Sequence, residues 1–126
     1  MSVAVLKYVD DLMQSMGIPY GFMRYNNEPP SEKYYFVGDY TELEMTTKEE
    51  NGMQEITFIL RGFTRDSWLL LEQAREKIEK SVAKTAILPD GTGIAVFYGS
   101  AMPVPTGDAD LKSIKINLNI QEWKVN

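Results

Sequence analysis

The carboxylates are the side chains of this sequence best placed to do chemistry, because histidine and cysteine are both absent. Thiol nucleophiles, disulfides and the zinc, haem and iron-sulfur sites built on Cys or His ligands are therefore excluded. The usual general base near neutral pH is missing too. An enzyme on this chain would work with carboxylates, Lys or Tyr, with an oxygen-ligated cation such as Mg²⁺ or Ca²⁺ as its metal option.

The carboxylate pairs offer little of that kind. Asp10 and Asp11 are adjacent on an expected helix, so they point about 100° apart and read as a solvated face. Asp108 and Asp110 have the two-residue spacing of a calcium loop but lack its further oxygen ligands and closing Glu, which favours a turn. Glu42 and Glu44 would sit about 7 Å apart on one face of a strand, superficially like a glycosidase pair. Such pairs flank a cleft from separate elements, whereas these share one exposed strand. Gly91-Thr92-Gly93 follows no expected strand and precedes no helix, and Gly-Lys-Ser/Thr is absent, so it reads as hairpin punctuation. No catalytic, cofactor-binding or metal-ligating set is assigned, and the chain is expected to be a non-enzyme without cofactors.

Charge is distributed unevenly. Residues 1–63 hold 5 basic and 10 acidic side chains, and residues 64–126 hold 8 of each. Most of the excess lies in Asp39, Glu42, Glu44, Glu49, Glu50 and Glu55, with Lys48 the single base among them. A patch of this sign repels phosphate and disfavours tight nucleic-acid binding through it. The aromatics Tyr20, Phe22, Tyr25, Tyr34, Tyr35, Phe36 and Tyr40 could serve a core, a protein interface or a stacked ligand.

The elements that must position these residues follow from periodicity. Val5, Leu6, Val9, Leu12, Met13 and Met16 mark an amphipathic helix from about Val3 to Met16, stopped by Gly17 and Pro19. Tyr20 to Tyr25 reads as a short strand. Lys33 to Met45 reads as a long one, with Leu43 and Met45 inward and Glu42 and Glu44 outward. Its partner is Met53 to Phe63, reached through Asn51-Gly52, so the acidic residues form a hairpin. Thr64 is the expected N-cap of a second helix from about Arg65 to Val82. Ile94 to Ala101 is a strand, Pro103, Pro105 and Gly107 form a stiff connection, and Leu111 to Trp123 alternates cleanly. The order αβββαββ predicts one α+β domain over 1–126, a largely antiparallel sheet with both helices on one face. The Met1 to Leu12 segment carries Lys7, Asp10 and Asp11, unlike a secretory h-region, and no run has the length of a membrane span, so no membrane association and a cytosolic setting are expected.

Ile18-Pro19-Tyr20-Gly21-Phe22, Tyr34-Tyr35-Phe36-Val37-Gly38, the Ile56 to Phe63 strand, Thr85-Ala86-Ile87-Leu88-Pro89-Asp90-Gly91 and the Ile116 to Val125 strand together resemble a known family. These segments are similar to tail-terminator or minor tail proteins of long-tailed phages and prophages of Gram-positive bacteria. The resemblance implies a virion protein assembled in the host cytoplasm, a hexameric ring that caps the tail tube, stops its elongation and joins it to the head connector. Its implied partners are its own copies, the tail-tube protein and the connector, while DNA passes through the lumen without specific binding. A long charged hairpin and sheet edges that could pair across subunits are compatible with this, and the acidic hairpin would face the lumen or a neighbouring subunit. The rival readings are another head-tail connector or tail-completion subunit, and, in a different class, a carboxylate-dependent metal or small-molecule binder or enzyme using Asp39, Tyr40 and Glu42.

Overall fold

The computed structural model describes residues 1–25, 32–42, 53–82 and 84–124. Its first element, α1 (Val3–Ser15), starts where the Ser2 side chain accepts the Val5 amide and buries Val5, Val9 and Met13. Gly17 follows at φ +70°, a conformation glycine adopts without steric cost. That turn lets the Gly17 amide donate to Gln14 and the Ile18 amide to Met13, satisfying two carbonyls that the helix end leaves open. Ile18 is itself buried, so the chain leaves the helix straight into the core.

Six strands form one sheet: β1 (Tyr20–Phe22), β2 (Tyr34–Glu42), β3 (Gln54–Thr64), β4 (Lys84–Ile87), β5 (Thr92–Val104) and β6 (Lys112–Lys124). Their spatial order is β1-β2-β3-β6-β5-β4, antiparallel except for the β1–β2 pair. The second helix, α2 (Trp68–Ser81), links β3 to β4. Phe36, Ile56, Phe58, Leu60, Ile94, Val96, Ile114, Ile116, Leu118 and Ile120 form the sheet's contribution to a single core. Leu71, Ala74 and Ile78 of α2 and the buried stripe of α1 close over it. The α+β class, the mainly antiparallel sheet and the two helices on one face agree with the sequence reading.

Four details differ from it. A sixth strand, β4, lies between α2 and β5; four residues with almost no buried side chain carry no alternation to read. Gly91-Thr92-Gly93 therefore does follow a strand, and closes the β4–β5 hairpin, where the Leu88 amide donates to the Thr92 carbonyl. The N-cap of α2 is Ser67, whose hydroxyl accepts the Leu69 amide. Thr64 is instead the last residue of β3, buried, donating to the Lys33 carbonyl and accepting from the Asp66 amide. Finally, β5 runs through Pro103 to Val104 and carries a bulge between Tyr98 and Ser100. Proline is tolerated there because β4 pairs only with Gly93 to Val96, leaving the rest of β5 as a sheet edge among the described residues.

Gly62 stands opposite Phe36 across the β2–β3 ladder. A Cβ added at Gly62 would lie 2.5 Å from the Phe36 ring and 3.0 Å from Ile114, both fully packed. Gly62→Ala is therefore expected to destabilise the fold by about 1–3 kcal/mol, the usual cost of overpacking a core. Urea denaturation measures it, and an unchanged midpoint would contradict the packing described.

Candidate functional site

The acidic hairpin was the strongest charge feature of the sequence, and its described members do not converge. Strand parity sends Asp39 to the face away from the helices, together with Tyr35, Val37, Ile59, Arg61 and Phe63. Glu42 pairs across from the buried Ile56, so it belongs to the helix-bearing face, where its carboxylate meets the Met1 amino group. This reverses the outward placement expected for Glu42. Glu55 is exposed on the open face at the start of β3. Glu44, Glu49 and Glu50, and with them the Glu42–Glu44 spacing and the Asn51-Gly52 turn, lie outside the described residues.

Asp39 is also neutralised locally. Arg61 Nη1 on the neighbouring strand donates to its Oδ2 at 2.5 Å, and both side chains are more than a third exposed. Since Tyr40 shares its face with Glu42 and not with Asp39, the set Asp39, Tyr40 and Glu42 straddles the sheet and cannot surround one ligand. No group of three or more Asp or Glu side chains among the described residues is arranged to hold a metal ion. Asp108 accepts the Asp110 amide at 2.9 Å and Arg65 Nη1 at 3.0 Å; these bonds hold its carboxyl below the usual aspartate value and build a turn. Asp90 is lowered likewise, chiefly by accepting the Thr92 amide in the β4–β5 hairpin. Asp10 and Asp11 are exposed on α1, where Asp11 pairs with Lys7.

The aromatics divide three ways. Phe36 is core, and Tyr20 and Tyr34 pack against it half-buried. Tyr25, Tyr35 and Phe63 stack in series on the open face, with centroids 4.9 and 5.4 Å apart. Phe22 and Tyr40 stack at 5.9 Å on the rim formed by β1 and β2. A concavity of about 550 Å³ opens beside Tyr35 and Phe63, lined also by Lys33, Arg65, Asp66 and Leu111. Its cations are already matched, Arg65 by Asp108 at 3.0 Å and Lys33 by Asp66 at 4.0 Å, so it offers no unopposed charge to a phosphate.

What the molecule does present is apolar surface at the two lateral rims of its sheet. Phe22, Met23 and Tyr40 are exposed at the β1–β2 rim, and Ile87, Phe97 and Met102 along the β4–β5 rim. Phe22 and Tyr40 belong to the aromatic set that the sequence offers for a core, an interface or a ligand, whereas Met23, Ile87, Phe97 and Met102 stand out by neither charge nor motif. The signal available in the sequence was the outward phase of Phe97 within the β5 alternation.

No family model matches the sequence, and no curated protein does. Seven chains of solved structures match. One of them aligns with a TM-score of 0.60 over 98% of this chain and 92% of its own, at 11% identity. At that identity the likeness is one of fold: the helix–sheet arrangement recurs as a whole unit.

Tyr20 supplies a pH test of this packing. Burial first, then the negative charges of Asp10 and Asp39, raise its hydroxyl above the ordinary tyrosine value, and burial raises Tyr34 as well. A group whose folded pKa is raised contributes stability that is complete below the unfolded value and lost as pH climbs past it, so the loss begins above about pH 10. Denaturation midpoints should therefore fall above pH 10, and less steeply in Tyr20→Phe. Parallel alkaline limbs for the two proteins would contradict the placement of Tyr20.

Proposed function

We propose that this chain is a structural subunit of a long-tailed phage or prophage particle, a ring-forming protein that caps the tail tube, ends its elongation and joins it to the head. The observation that carries the reading is the pair of apolar rims at opposite ends of one sheet, a surface suited to repeated contacts between identical copies. The segments in which the sequence resembles tail-terminator proteins fall on β1, β2, β3, the β4–β5 hairpin and β6. The likeness thus follows the sheet. In a ring, Glu55, exposed at the start of β3, faces the lumen or a neighbouring subunit, and on the lumen side its charge repels the phosphates of passing DNA.

Tail tubes assembled in vitro from the tube protein of a long-tailed phage provide the test. Added protein is expected to stop their elongation and to appear in electron micrographs as a ring on the tube end. Tubes that grow at an unchanged rate and bear no density at their ends would overturn the reading.

A further inference from the structure

We propose that the concavity beside Tyr35 and Phe63 is a saccharide site, in which a neutral pyranose ring lies against the aromatic side chains and its hydroxyls bridge the flanking cations and carboxylates. The site is independent of the ring-forming role above, and neither requires the other. Tyr25, Tyr35 and Phe63 belong neither to the buried core nor to the half-buried side chains packed on it. They stack instead on the face that carries no helix among the described residues. Tyr35 and Phe63 are direct partners across the β2–β3 ladder, so strand register fixes their stacking. Both line the concavity, whose volume is about 550 Å³. Small-molecule sites usually enclose roughly 300–1,000 Å³.

The walls come from three parts of the chain: the start of β2, the turn from β3 into α2, and the approach to β6. Hydrogen bonds tie them together. Thr64 Oγ1 donates to the Lys33 carbonyl at 2.7 Å and accepts the Asp66 amide at 3.0 Å. Lys112 Nζ donates to the Asp66 carbonyl at 2.8 Å, and Arg65 Nη1 to Asp108 at 3.0 Å. The concavity is therefore shaped by bonds of the fold itself, and a ligand that enters it has little ordering to impose.

The charges in the walls select a neutral ligand. An anion meets Glu32 and Asp66, a cation meets Lys33 and Arg65, and neither sign has a clear advantage. A molecule rich in hydroxyls uses both kinds of group, because each hydroxyl donates and accepts. Lys33 Nζ and Asp66 Oδ2 stand 4.0 Å apart. That is beyond the roughly 2.7–3.2 Å of a direct hydrogen bond, so ammonium protons and carboxylate lone pairs are left unused. One hydroxyl joins the two by giving its proton to Asp66 while accepting from Lys33. Arg65 keeps further N–H groups for a second hydroxyl, since Nη1 alone is bonded to Asp108. The aromatic rings supply the apolar half of the contact, their negative faces attracting the C–H hydrogens of a pyranose.

Saturation-transfer NMR tests the site on the wild-type protein. The ligands are mono- and oligosaccharides of glucose, galactose, mannose and N-acetylglucosamine, with adenosine and inorganic phosphate for comparison. At least one saccharide is expected to receive saturation, to shift the amides of Tyr35, Phe63 and Arg65, and to keep its affinity at high salt, where contacts between exposed charges weaken. Phe63→Leu keeps apolar bulk and removes the ring, and Lys33→Ala removes an exposed donor. Each is expected to weaken binding about tenfold with an unchanged circular dichroism spectrum. Asn119→Ala, on the same face but outside the concavity, is expected to leave binding as it was. Failure of every saccharide to bind, amide shifts elsewhere, or preferential binding of adenosine or phosphate would overturn the proposal. Full affinity in both Phe63→Leu and Lys33→Ala would overturn it as well, and none of these results bears on assembly at the tail tube.

Discussion

The antiparallel pairing of β3 with β6 is the constraint on which the remaining structure depends. It sets Ile56, Phe58 and Leu60 opposite Ile120, Leu118 and Ile116, six fully buried side chains on one side of the sheet's central ladder. Because side chains alternate strictly, a slip of one residue would send all six to solvent, and the register is accordingly fixed. Both helices close over this surface, α2 over the central strands and β5, α1 towards β1. Glu122, at the far end of β6, holds that arrangement at one corner: only 9% exposed, its carboxylate accepts the Ser2 amide at the start of α1. A carboxylate at a helix N-terminus also complements the helix dipole.

One-sided burial has consequences for what the protein can do. Among the described residues no helix covers the opposite face of the sheet, which is a mixture of polar and half-buried apolar side chains, with Asp39 and Arg61 paired to each other. The lateral edges are capped by very short strands, which suppresses open-ended strand pairing, yet the rims beside them keep large apolar side chains in water. A protein that merely needed to remain dispersed would gain from polar residues at such positions. The concavity beside Tyr35 and Phe63 has its cations Lys33 and Arg65 matched to Asp66 and Asp108, and in the one beside α2 the Arg75 guanidinium is held by Glu72 and Glu79.

Much of the fold was legible in the sequence, and the failures have identifiable causes. Helices and the long strands were visible because Val5, Val9 and Met13, or Ile114, Ile116, Leu118 and Ile120, repeat at the period of their element. β4 was invisible because its side chains are nearly all exposed, and the extension of β5 was hidden by Pro103, which only an edge position excuses. The Leu43–Met45 alternation in the sequence places Glu42 outward, whereas the observed β2 takes its phase from Phe36 and Gly38 and puts Glu42 on the helix-bearing face. The functional surface was harder still. Six acidic residues close in sequence drew attention to the hairpin, but Asp39 and Glu42 diverge across the sheet, and the rims bring together residues from β1, β2, β4 and β5 that no local pattern links.

We propose that copies of this protein meet through the two rims of its sheet. Amide chemical shifts followed by NMR as the protein is concentrated test it most directly. Perturbations are expected to arise together at two separate places, around Phe22, Met23 and Tyr40 and along Ile87, Phe97 and Met102, with the centre of the open face unchanged. Perturbations confined to one rim, or centred on Thr57, Asn117 and Asn119, would contradict it.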